Sequence, residues 1–130
     1  MPRKRLTKQR TAIEEVFESH HRPLSPGEVH ELARGQVEGL GIATVYRALN
    51  DMVEENILRA VDLPGIAPRY EKAGLKHHHH FHCNTCDKVF DLDGCLLKPD
   101  IRLPDGFTVL SHDITLSGVC PRCSKEQPSS

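Results

Sequence analysis

Four of the five cysteines fall into two pairs with one spacing, Cys83-x-x-Cys86 and Cys120-x-x-Cys123. Two thiolates set three positions apart on a tight turn can face one cation. Two such pairs complete a closed tetrahedral site, which holds zinc and leaves no position open for substrate or water. The chemistry implied is structural zinc, with a thiol redox centre or an iron site as rival readings of the same spacing. An odd cysteine total built from such pairs points to metal in a reducing compartment rather than to a disulfide framework.

Immediately ahead of the first pair, residues 77–82 read His-His-His-His-Phe-His, five histidines in six positions. No packed core requires that density. The run is internal and leads straight into Cys-x-x-Cys, unlike an expression tag at a terminus. Side chains alternate along a strand, so an extended segment places His78, His80 and His82 on one face and His77, His79 and Cys83 on the other. One strand then serves more than one metal. Mixed imidazole and carboxylate ligands suit exchangeable zinc, iron or manganese. Glu71, His78, His80 and Asp91 form one candidate set, and His77, His79 and His112 a second. Taken alone, His112 reads as an ordinary surface or strand residue; the cluster makes it a candidate. Cys95 is left over, either as a replacement ligand or as a small buried residue.

The elements that must carry these residues can be read from periodicity. From Thr7, the apolar positions Ala12, Ile13, Val16 and Phe17 repeat at helical spacing until His20, His21 and Pro23 close the helix. Ser25, Pro26 and Glu28 combine a capping serine, proline at the first helical position and a capping-box glutamate, and Val29, Leu32 and Ala33 follow as an apolar stripe. In the third segment Ile42, Val45, Leu49, Met52 and Val53 repeat every three or four residues, with Thr44, Tyr46, Arg47 and Asn50 largely on the other side and Asn56 as a left-handed C-cap. Two short strands, 57–61 and 69–71, flank Pro64, Gly65 and Pro68. Three helices and a hairpin give the order of a winged helix, whose third helix enters the major groove; an ordinary three-helix interaction module shares the pattern. Beyond Cys86, 33 residues precede Cys120, so a strand excursion is expected there. Val89 and Leu92 within 87–93, and Phe107, Val109, Ile114 and Leu116 within 107–117, read as strands, with turns near Gly94, Pro104 to Gly106, and Gly118.

The bulk numbers constrain the function class. A chain of 130 residues with 5% aromatics and no tryptophan has room for two small domains only if metal or dimerisation supplements their cores. The net charge of −1 excludes a coat of bulk positive charge. Residues 1–60 hold nine basic and nine acidic side chains, yet Arg3, Lys4, Arg5, Lys8 and Arg10 crowd the first ten positions without an acid. Any DNA binding must therefore rest on charge distribution. No apolar run approaches the roughly 18 to 20 residues of a membrane span, and the start lacks a signal-peptide core, so the expected location is the cytoplasm, with no membrane partner. A catalytic zinc needs an open coordination position and a pocket, and no separate segment is available to build one, so an enzyme is not expected. A metal buffer or a zinc-stabilised interaction module is the alternative.

With both halves read, the chain resembles the ferric uptake regulator family of metal-dependent bacterial repressors through Leu6-Thr-Lys-Gln-Arg10, Ala43-Thr-Val-Tyr-Arg-Ala-Leu49, Arg69-Tyr-Glu71, His77 to Cys86, and His112 with Gly118 to Cys123. The resemblance implies an α+β chain: a winged-helix DNA-binding domain over 1–72, a hinge near Lys72 to Lys76, and a metal-binding α/β dimerisation domain over 77–130. It implies a homodimer that binds palindromic promoter DNA when its regulatory site is loaded. Cys83, Cys86, Cys120 and Cys123 match structural zinc ligands, and Glu71, His78, His80 and Asp91 match ligands of the regulatory site, which takes zinc, iron or manganese. His77, His79 and His112 match a further site, and Tyr46 and Arg47 match the DNA-contacting pair on the recognition helix; Arg10 and Thr44 are further candidates for DNA binding. The pattern departs at Pro23, where the family usually places a regulatory histidine and where His20 and His21 are the neighbours. It departs again at the short Gly94 to Gly106 stretch with Pro99 and Pro104, and in lacking a helix ahead of Lys8-Gln-Arg10. Asp91 is shared with the peroxide-sensing branch, whereas Glu71 and Pro23 do not fit that branch.

Overall fold

The computed structural model describes residues 2–94 and 102–126. The chain divides into two compact units, Met1–Gly74 and Leu75–Ser130. The first contains three helices, α1 (Pro2–Ser19), α2 (Pro26–Ala33) and α3 (Ile42–Glu54), followed by β1 (Leu58–Val61) and β2 (Arg69–Lys72). The second contains β3 (His78–Cys83), β4 (Val89–Asp93), β5 (Thr115–Gly118) and a short α4 (Pro121–Glu126).

In the first unit Ala12, Ile13, Val16 and Phe17 of α1 are buried against Val29 and Ala33 of α2 and Val45, Leu49 and Met52 of α3. This is one apolar stripe per helix turned to a common core. Ile42 and Leu32, at the ends of their stripes, are exposed. α1 begins at Pro2 rather than near Thr7, because proline suits a first helical turn and the Arg-Lys-Arg run that follows contains good helix formers. It thus runs unbroken through the Lys8-Gln-Arg10 segment.

α2 opens with the expected capping box: the Glu28 N–H donates to Ser25 Oγ and the Ser25 N–H to Glu28 Oε1, each at 3.1 Å. α3 closes at Asn56, whose φ of 62° is left-handed. The N–H of Ile57 then reaches the Met52 carbonyl at 2.9 Å and that of Asn56 the Val53 carbonyl at 3.0 Å, the paired bonds that satisfy a helix end. β1 and β2 pair antiparallel from Leu58↔Lys72 to Val61↔Arg69. A third stretch joins them: Leu24 exchanges two backbone bonds of 2.8 Å with Tyr70, extending the hairpin beyond what sequence periodicity predicts.

In the second unit β3 is central, with β4 antiparallel on one side and β5 parallel on the other. β4 falls where expected. The strand expected over 107–117 is confined to its last part, and Phe107, Val109 and Leu110 are exposed, Leu110 at 93%. The register explains the difference. Thr115 lies opposite His80, so continuing backwards sets Ser111 against Lys76, before β3 begins, and earlier residues have no β3 partner. α4, which periodicity does not announce in six residues, carries Cys123. Cys95 and Pro99 lie outside the described residues.

Candidate metal centres

β3 delivers its side chains to three places. Its last residue, Cys83, starts a tight turn in which the Asp87 N–H returns to the Cys83 carbonyl at 2.9 Å and Asp87 takes a left-handed φ of 65°. Cys86 sits on that turn, Cys120 follows β5, and Cys123 lies one turn into α4. The four Sγ atoms lie within 4.8 Å of one another, and Cys86 Sγ stands 3.9 Å from Cys120 Sγ. A tetrahedron of sulfurs at about 2.3 Å from zinc has edges of about 3.8 Å, whereas a disulfide needs about 2.05 Å. The four sulfurs therefore fit zinc and not a bridge. Cys83 Sγ accepts the N–H groups of Cys86 at 3.5 Å and Cys120 at 3.4 Å, and these donors, the Cys86 N–H foremost, hold its thiol down to about 6. Burial pushes the Cys123 thiol up to about 12 and raises that of Cys86.

The even-numbered face carries His78 and His80. Asp91 of β4 lies directly across from His80 in the antiparallel register, and its Oδ1 stands 3.4 Å from Nε2 of both His78 and His80. A charge-assisted hydrogen bond is shorter, about 2.7 to 2.9 Å, while two ligands about 2.0 to 2.1 Å from one tetrahedral cation stand about 3.4 Å apart. His78 Nδ1 lies 2.6 Å from the Lys76 carbonyl, so it carries the proton and donates. That assigns the lone pair to Nε2, the atom facing Asp91, in the manner of a histidine oriented for a metal. His82, next on this face, instead pairs with Asp87 Oδ1 at 2.6 Å.

The odd-numbered face gathers His77, His79 and His112. The offset that pairs Thr115 with His80 also brings His112 opposite His77, and their Nε2 atoms are 3.1 Å apart. His79 is 1% exposed; its Nδ1 accepts the Ile114 N–H at 3.1 Å, while its buried Nε2 has no hydrogen-bond partner. Burial first, then His77 and His112, lower its pKa, which disfavours the charged ring. With Nδ1 accepting, the neutral ring carries its proton on Nε2, so His79 ligates a metal only by giving up that proton or the Ile114 bond.

Glu71 belongs to the first unit, on β2, where it is 2% exposed and its Oε1 accepts from Arg59 Nε at 2.7 Å. Hairpin register places these two directly across from each other. Pro23 is buried, and His20 Nδ1 bonds the Val16 carbonyl at 3.0 Å as a cap on α1. Of the DNA-reading candidates, Tyr46 (49% exposed) and Arg47 lie on the outer side of α3. Arg47 donates to Thr44 Oγ1 at 3.3 Å. Arg10 is engaged within its own unit, by Glu14 at 2.9 Å and Glu55 at 2.8 Å.

Comparison with known proteins bears on the same features. A ferric uptake regulation protein of Synechococcus elongatus is 32% identical over 129 residues, covering 93% of this chain and 86% of its own length. A zinc uptake regulation protein of Mycobacterium tuberculosis is 28% identical over 122 residues, covering 92% and 94%. Among solved structures, the Helicobacter pylori ferric uptake regulator, described as having three functional metal binding sites, superposes with a TM-score of 0.65 at 26% identity, covering 94% of this chain and 83% of its own. The sequence pattern of the ferric uptake regulator family matches residues 3–117, and the chain belongs to that family of metal-responsive, DNA-binding transcriptional repressors.

Proposed function

We propose that this chain is a homodimeric repressor that binds promoter DNA when a divalent metal loads the set His78, His80 and Asp91 together with Glu71. The observation that carries this reading is the spacing on the even face of β3. Two imidazole Nε2 atoms stand 3.4 Å from one carboxylate oxygen, too far for strong hydrogen bonds and right for ligands of a common cation. Zinc in the four-cysteine site supplies a structural cross-link, and the triad of His77, His79 and His112 supplies a further site. Regulation, not catalysis, is the role, and its place is the cytoplasm.

The Thr44, Tyr46 and Arg47 surface of α3 reads the major groove, with Arg10 close to the phosphate backbone. Ligands drawn from both units favour one arrangement of those units over others, so loading shifts the population toward the form that fits both half-sites. A mobility-shift titration on promoter DNA tests the scheme. Chelation of exchangeable metal, or the pair Glu71→Ala with His80→Ala, is expected to weaken sequence-selective binding by about tenfold or more, in line with ordinary coupling energies. Unchanged binding in both cases sinks the switch.

A further inference from the structure

The hairpin of the first unit gives Glu71 a cation of its own. Arg59 stands across from it in register and donates Nε to its Oε1 at 2.7 Å, with the arginine side chain 51% exposed and the glutamate 2%. A carboxylate with so little water around it needs its charge compensated, and Arg59 does this from the surface side.

We propose that Arg59 competes with metal for Glu71 and so sets the metal concentration at which the chain responds. This rests on the reading of Glu71 as a regulatory ligand. A guanidinium hydrogen-bonded to Oε1 takes one of that oxygen's two lone pairs and sets a positive charge beside a cation that would take the other. Coordination through Oε2 instead would leave two positive charges on one carboxylate a few ångströms apart, where they repel. Either way the metal must overcome Arg59. The competition is direct because Pro23 stands where the resemblance expects a histidine ligand, leaving Glu71 as the one ligand that the proposed function takes from the DNA-reading unit.

The test is a cobalt titration of the full chain, zinc-loaded at the cysteines and freed of exchangeable metal, followed by visible absorption without DNA. The step followed is the one that His80→Ala removes. Arg59→Met is expected to bind cobalt about three- to ten-fold more tightly than the parent, the range of a partly exposed charge pair. Arg59→Lys, which keeps the charge, stays close to the parent. Metal-free Arg59→Met is also expected to melt below the parent, and saturating cobalt to close that gap. Should Arg59→Met not fold, Arg59→Gln keeps a donor without the charge and is expected to shift affinity the same way. Unchanged or weaker cobalt binding in the neutral variants overturns the proposal and leaves Arg59 as a support for Glu71 or a contact to DNA phosphate. Unchanged binding in Glu71→Gln overturns the ligand reading itself, a distinguishable failure.

Discussion

Two main-chain N–H groups point at Cys83 Sγ, and its side chain is buried, while Cys86 lies at the surface. Alanine at either position removes a thiolate, but at position 83 it also strips two donors of their acceptor. Cys83→Ala is therefore expected to lose about tenfold or more zinc affinity beyond the loss in Cys86→Ala, the scale on which partners of a ligand matter. Competition against a chromophoric chelator measures the difference, and equal losses would contradict it. His78 shows the same logic with a carbonyl in place of N–H donors: the Lys76 oxygen decides which ring nitrogen is left to bind. The ligand candidates on β3 were legible because alternation assigns faces without reference to a partner strand. The Lys76 carbonyl was not legible, since a backbone group leaves no mark in the residue types. The hold of Glu14 and Glu55 on Arg10 was half visible, the first as an i,i+4 pair and the second only after α3 folds back.

Elements owe their limits to local chemistry where it is strong and to neighbours where it is weak. The α2 capping box satisfies two otherwise unpaired N–H groups. Ser25→Ala is expected to destabilise the first unit by about 1 kcal/mol, read as a lower unfolding midpoint in urea with an unchanged slope; no shift would mean that Pro26 and tertiary packing alone fix the helix start. The three helices and the hairpin were legible because periodicity, caps and turn residues agree. The Leu24 bridge to Tyr70 escaped because one residue carries no period. The segment from Phe107 was misjudged for a related reason: its residues have strand propensity, but propensity needs a partner to become a strand, and β3 is too short to supply one.

At the scale of the molecule, the two units differ in what holds them. The first buries an apolar core from three helices and the hairpin. At the four-cysteine site of the second, the buried cluster among the described residues consists of Cys83, Cys120 and Cys123, with Phe81 and Phe90 packed against it. Structural zinc contributes about 10 kcal/mol or more to small domains of this kind. Exhaustive chelation is accordingly expected to expose β3 to β5 to rapid amide hydrogen exchange while α1 to α3 stay protected, which peptide-resolved exchange by mass spectrometry would reveal. Uniform protection in both units would show that the second has an adequate core of its own.

The alternation of β3 also has a hereditary side. His77 to His80 are identical neighbours, so removing any one of them yields the same protein. Counted back from the anchored Cys83, the slots of His78, His79 and His80 would still hold histidine, and only the slot of His77 would receive Lys76. Such a deletion breaks the triad with His112 and spares the pair that faces Asp91, whose orienting contact is a main-chain carbonyl that any residue provides. A slip in a repetitive stretch of coding sequence can thus discard one candidate metal site while the other passes intact to descendants.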